Sequence, residues 1–206
     1  MRDPAEEVRM AGEALSLAEA AARFQPVLFI RRGLDYLRPE CIVYEAARAA
    51  RRLLIDYYVQ WEDEIAPFVL WHFAYRAFRK IYYGSEKDIE FVQAGIDIDS
   101  AQVDSVAFER DPGGKMNNPF PVHELVECSR DGADGLFKVT VNGKEAQPEC
   151  VCFEGGRPVL LVAMWNHIYD FYKGDGVRMD DPPLVPLNDD YYSRYKMWTR
   201  SLPPGR

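Results

Sequence analysis

The sequence predicts an α+β chain. About four helices fill an N-terminal half, a roughly four-stranded antiparallel meander follows, and an extended C-terminal arm ends in a short helix. Three observations lead there. Residues 1–83 hold only two of the 14 glycines and four of the 14 prolines, so the second half is rich in turns. Apolar residues recur at helical spacing before Gly84 and at a spacing of two after Val122. Residues 1–83 balance 12 basic against 12 acidic groups, so residues 84–206 carry the whole net charge of −8. The expected divisions are a helical region at 1–84, a β region at 85–173 and an aromatic arm at 174–206.

Asp3, Pro4 and Glu6 have the spacing of a capping box with proline at the first helical position, followed by an Ala-rich stretch through Arg23. Pro26 opens a second helix over Val27 to Leu37. Pro39 opens a third, with Val43, Ala47, Ala50, Leu54, Tyr57 and Trp61 along one face. Pro67 opens a fourth, closed by Gly84 after Arg76, Arg79 and Lys80. Ser85 to Asp88 can cap a short helix through Ala94. Beyond Val122, Phe137, Val139 and Val141 alternate with Lys138 and Thr140 and end at Asn142-Gly143, a two-residue hairpin turn. Gly155-Gly156 turns a second hairpin. Asp189 or Asp190 caps a last helix over Tyr191 to Thr199.

Composition narrows the function. A net charge of −8 repels phosphate, so no nucleic-acid partner is expected. No apolar run reaches the length of a spanning helix. Four cysteines in apolar or acidic surroundings read as reduced, buried thiols in an intracellular, reducing compartment, either the cytoplasm or the mitochondrial matrix side.

The chemical motifs fail one by one. His123-Glu124 resembles half of a zinc-protease helix motif, but position 127 is glutamate, not histidine. Cys150 and Cys152, with Cys128 and a histidine, could build a tetrahedral zinc site, although lining a sheet explains them as well. Acidic neighbours raise a thiol pKa, which opposes a nucleophilic cysteine. Gly113-Gly114-Lys115 lacks the rest of a phosphate loop. Asp97 and Asp99 alternate with isoleucines, as on a half-buried strand. No catalytic residue, cofactor or metal ligand is therefore assigned, and the expectation leans against an enzyme.

Aromatics stand out. Ten of the 27 residues from Tyr57 to Tyr83 are aromatic, and the arm adds more. Trp71, Phe73, Tyr75, Arg76, Arg79, Tyr191, Tyr195 and Trp198 are the residue types that anchor interfaces. The leading expectation is a non-catalytic accessory or structural subunit of a larger assembly, mitochondrial or at a membrane. Its partners are other protein subunits, with lipid open to the apolar stretch Ile65–Tyr83. The alternative is a small-molecule enzyme or ligand-binding domain whose pocket, between helices and sheet, lies near His123 and Glu124.

Overall fold

The computed structural model describes residues 4–34, 37–62, 72–74, 76–77, 88–113, 122–130 and 136–188. The chain starts not with a long helix but with a hairpin, β1 (Glu7–Met10) and β2 (Glu13–Ser16). Ala11 and Gly12 turn it with φ of 47° and 86°, the left-handed pair that a tight hairpin requires. Val8 and Met10 point inward while Glu7 and Arg9 face solvent, an alternation too short to stand out against the alanines. The helix α1 (Leu17–Phe24) begins only at Ser16. There the Ser16 Oγ accepts from the Glu19 N–H at 3.2 Å, and the Glu19 carboxylate accepts from the Ser16 N–H at 2.8 Å. The capping box is thus Ser16/Glu19, not Asp3/Glu6.

The other expected helices also give way to strands. Val27–Ile30 is β3, four consecutive apolar residues in a parallel pair, a run whose period cannot separate strand from helix. The third expected helix is a long hairpin of β4 (Pro39–Ala49) and β5 (Arg52–Trp61), with Ala50 turning at φ 53°. Leu53, Ile55, Tyr57, Val59 and Trp61 are each fully buried, a period of two. Residues 88–94, expected as helix, begin β6 (Asp88–Asp97), which is followed by β7 (Gln102–Arg110). An N-terminal helical half is therefore overturned, and with it the α+β assignment: the described chain is mostly β. Of the fourth expected helix, residues 72–74 and 76–77 are helical, and the remainder lies outside the described residues.

The later strands form, but not as one four-stranded meander: they fall into two separate antiparallel groups. β8 (Glu124–Arg130), β9 (Phe137–Val141) and β10 (Lys144–Glu145) pair antiparallel, and Asn142-Gly143 turns at φ 49° and 75°. Phe137 and Val139 are buried and Lys138 is exposed, as the alternation requires. β11 (Cys152–Glu154) and β12 (Arg157–Val162) form the second hairpin. They are followed by β13 (Tyr169–Phe171), β14 (Val177–Arg178) and β15 (Leu184–Pro186).

The main sheet runs β14-β3-β12-β13-β7-β6-β5-β4-β15, with β8 and β9 branching from β7. Its two ends are adjacent in sequence. Only residues 179–183 separate β14 from β15, a reach of at most about 20 Å when fully extended. The sheet must therefore curl until its edges nearly meet, with this strap across the gap. Gln25 Nε2 donates to the Pro182 carbonyl at 3.0 Å, and Ile42 N–H donates to Pro183 at 2.9 Å. Arg157 donates from Nε to the Gln25 carbonyl at 2.7 Å and forks onto both Asp181 oxygens at 2.8 Å. α1 packs against β4, β12 and β15, burying Leu17, Ala20, Ala21 and Phe24 in the core. Among the described residues no helix is long and apolar enough to cross a membrane, a statement that does not bear on β-barrels.

Arg157→Ala removes the fork and leaves the Gln25 carbonyl without its donor. Hydrogen bonds involving a charged group contribute about 1.5–3 kcal/mol. Urea unfolding should show a loss of that order with an unchanged slope, whereas an exposed-site control such as Lys144→Ala should stay within about 0.5 kcal/mol.

Candidate functional site

The sheet forks at one place. The β6–β7 ladder runs from Asp97↔Gln102 to Val92↔Phe108 and stops. β8 keeps to the other edge of β7 as far as Arg110↔Glu124. The Tyr169↔Arg110 bridge must therefore occupy the edge that β6 has left. Residues 88–91 diverge from β7, β13 enters the gap, and the polar residues of three strands meet there.

Three donors converge in this fork. Oxygens of Glu90 and Glu109 and a ring nitrogen of His123 all lie within 4.8 Å of one another, the one such set of metal-type donors among the described residues. Glu90 is 2% exposed, Glu109 half-buried, and His123 the most open of the three, so the cluster grades from interior to solvent. His123 Nδ1 lies 2.6 Å from Glu109 Oε2. Burial alone would lower the His123 pKa. The hydrogen bond and charge of Glu109, with the charges of Asp88 and Asp111 further off, outweigh it and hold the imidazole above its ordinary value.

Behind the cluster sits a second, wholly buried pair. Asp88 Oδ2 and His167 Nδ1 are 2.7 Å apart and each side chain is 1% exposed. His167 takes a left-handed φ of 64°, and its ring stacks on Trp61 at 4.2 Å with 7° between planes. Asp88 is the cross-strand partner of Trp61, so the stack and the hydrogen bond tie the turn before β13 to the end of β6. The Tyr169 hydroxyl is buried and its O–H meets no acceptor among the described residues. Burial first, then the charges of Glu90 and Asp88, push its pKa well up, so it stays a neutral donor. Asn166 Oδ1 and Arg110 Nε are likewise buried without partners among the described residues. Each such group costs about 1–3 kcal/mol unless something satisfies it.

The donor set fits a divalent cation. Ligand atoms at about 2.0–2.2 Å from an ion lie about 3–4 Å apart, which a set within 4.8 Å reaches by small side-chain rotations. Two carboxylates and one imidazole, the donors found among the described residues, suit manganese or zinc.

The expected site residues fare unevenly. His123 belongs to the cluster; Glu124 does not join it. Phe73 is 67% exposed and Arg76 partly buried, whereas Trp71, Tyr75, Arg79, Tyr191, Tyr195 and Trp198 lie outside the described residues. Cys150 is exposed rather than buried. Cys128 is buried, which pushes its thiol pKa up to about 12. Asp97 ends β6, where its carboxylate accepts from the Ser100 N–H at 2.8 Å.

No protein-family profile and no curated protein matches the chain. Solved structures are similar in a loose way. One, described as a toxin fold for microbial attack and plant defense, superposes with a TM-score of 0.47 at 12% identity, covering 99% of this chain and 84% of that one. Necrosis and Ethylene inducing Protein 2, from the causal agent of cocoa's Witches Broom disease, gives 0.45 at 15%, with 92% and 82% covered. NLPPya in complex with mannosamine gives 0.44 at 12%, with 91% and 80% covered.

The accessory-subunit expectation does not survive. It drew on a four-helix half whose surplus aromatics needed a partner, and Tyr57, Trp61 and Tyr169 are instead fully buried in the β core. The mitochondrial multiprotein complex was an expectation built on the same helical half, and it falls with it.

Because the His123 pKa is raised on folding, its contribution to stability is complete below the unfolded value of about 6.5. That contribution is lost as pH rises through the folded value. An NMR titration of the His123 ring should show a midpoint above that of a model peptide, and Glu109→Gln should bring it down. A native midpoint at or below the peptide value would contradict the geometry.

Proposed function

We propose that the chain is a ligand-binding protein whose site is a divalent cation held by Glu90, Glu109 and His123 in the fork of the sheet. One observation carries this reading: two carboxylates and an imidazole, from β6, β7 and the entry to β8, converge within 4.8 Å on a path from the interior to solvent. Glu90 is 2% exposed, so it forms the buried end of the donor set.

The roles follow from position. Glu90 supplies the buried anionic ligand. Glu109 supplies the second and, without an ion, accepts the hydrogen bond of His123. His123 ligates only as the neutral ring, so protons compete with the ion. Asp88 and His167 do not face solvent; their hydrogen bond and the Trp61 stack hold the strand that carries Glu90. A bound ion would supply Lewis acidity to an oxygen-bearing ligand reaching the cluster from the more exposed His123 end.

Isothermal titration of chelator-treated protein with manganese and with zinc tests it. One ion per chain is expected, with affinity falling as pH drops through the His123 titration. Glu109→Gln and Glu90→Gln should each weaken binding by about tenfold or more, the scale on which loss even of supporting groups acts at metal sites. Absence of saturable binding by both ions at a pH above the His123 midpoint measured by NMR, in protein shown to be folded, would refute the proposal.

A further inference from the structure

Two thiols far from the fork in sequence share one side of a short segment. Glu149 bridges Phe137 of β9, and Cys152 pairs with Val159 of β12, so residues 149–152 are tied at both ends. Burial alternates along them: Cys150 is exposed, Val151 is buried in the core, and Cys152 is half-buried. With Val151 anchored inward, its two neighbours both turn outward, to the same side. Cys152 Sγ donates to the Tyr172 carbonyl at 3.4 Å, which sets that sulfur against the chain leaving β13. The next residue, Lys173, lies 3.7 Å from Glu149 and offsets the acid beside Cys150. Burial first, then the charge of Cys150, raises the Cys152 thiol pKa, so the two sulfurs are near enough to sense each other.

Spacing decides what such a pair can hold. Extended residues two apart stand about 6.6 Å apart, with their same-side Cβ atoms at much the same separation. A disulfide draws its Cβ atoms to about 3.5–4.5 Å, which here would pull Cys152 off β12. An ion between the sulfurs asks for less. With metal–sulfur bonds of about 2.3 Å, two sulfurs in line stand about 4.6 Å apart, a span that side-chain rotation supplies without moving the backbone. Among the described residues the one set of three or more close metal-type donors is Glu90, Glu109 and His123. Neither Cys128 nor a histidine there completes a four-fold shell around Cys150 and Cys152, which sets the tetrahedral zinc site aside. Copper(I) is soft, favours thiolates and accepts two ligands in line. We propose that Cys150 and Cys152 bind one copper(I) ion as a two-coordinate bis-thiolate. Each thiol releases its proton as its sulfur–copper bond forms, and neither sulfur nor copper changes oxidation state. The proposal is independent of the cation in the fork.

Anaerobic titration of the reduced full chain against the coloured copper(I) complex of bathocuproine disulfonate tests it. The chain should withdraw one equivalent of copper(I) from the dye. X-ray absorption of the loaded chain should show two sulfur neighbours and no nitrogen neighbour. Cys150→Ser and Cys152→Ser should each abolish the withdrawal, whereas Cys41→Ser and Glu109→Gln should leave it unchanged. Circular dichroism on every variant shows that the fold is intact. Copper left wholly on the dye by the native chain overturns the proposal. An unchanged titration in either Cys150→Ser or Cys152→Ser also overturns it, and so does a third protein donor in the absorption spectrum.

Discussion

Two narrow ties decide the shape of this protein. The strands divide into two sets, one around β12 and one around the β4–β7 meander, and among the described residues a single residue pair within the sheet, Tyr169↔Arg110, joins them. At the far side the strap between β14 and β15 joins them again. A sheet path anchored at both ends by short chain cannot lie open. Its curl is a geometric consequence of five residues reaching from one edge to the other, with the Arg157–Asp181 fork and the Gln25–Pro182 bond holding the strap down. The interior so enclosed needs filling, and α1 and the large rings of Tyr57, Trp61 and Tyr169 fill it.

The polar cluster owes its existence to the weaker tie. Had β6 stayed paired with β7 to its end, residues 88–91 would have spent their backbone groups on the ladder and left no gap. Divergence opens the fork, and β13 takes only one bridge of the vacated edge. Buried acids there meet donors: His123 lies 2.6 Å from Glu109 and His167 lies 2.7 Å from Asp88. The Asp88–His167 bond crosses the seam between the two strand sets. The residues that hold the sheet halves together therefore also back the proposed ion site. Strain at His167, with its left-handed backbone, is consistent with that coupling of stability and binding.

How much of this could be read from the chain differs by segment. The hairpins at Asn142-Gly143 and Gly155-Gly156 were legible, because alternation and turn residues agreed. The N-terminal half misled because its signals overlap. Alanines at 46, 47, 49 and 50 satisfy a helix, while Leu53, Ile55, Tyr57, Val59 and Trp61 keep a strict period of two that the helical window hides. Prolines 26 and 39 stand at strand starts, a position they suit as well as a helix start. Of the site, His123 was visible as one of three histidines. Glu90 and Glu109 were not, since nothing local distinguishes them from other acids and their meeting depends on where a ladder stops. Asp88 and Glu90, two apart beside an apolar run, were the available signal of acids on one buried strand face.

The order of strands also bears on how the chain acquires its structure during synthesis. The hairpin of β4 and β5 and the meander through β8 are made of neighbours and can form as they emerge. β3 cannot: its partner β12 arrives about 130 residues later, in parallel, and β14 later still. Until then Val27-Leu28-Phe29-Ile30 is an unpaired, uncharged strand on a growing chain, and closing it carries the loop entropy of nearly two thirds of the chain. The nascent chain thus carries an adhesive segment through most of its translation, and its need for chaperone protection should be greatest before residue 162 leaves the ribosome.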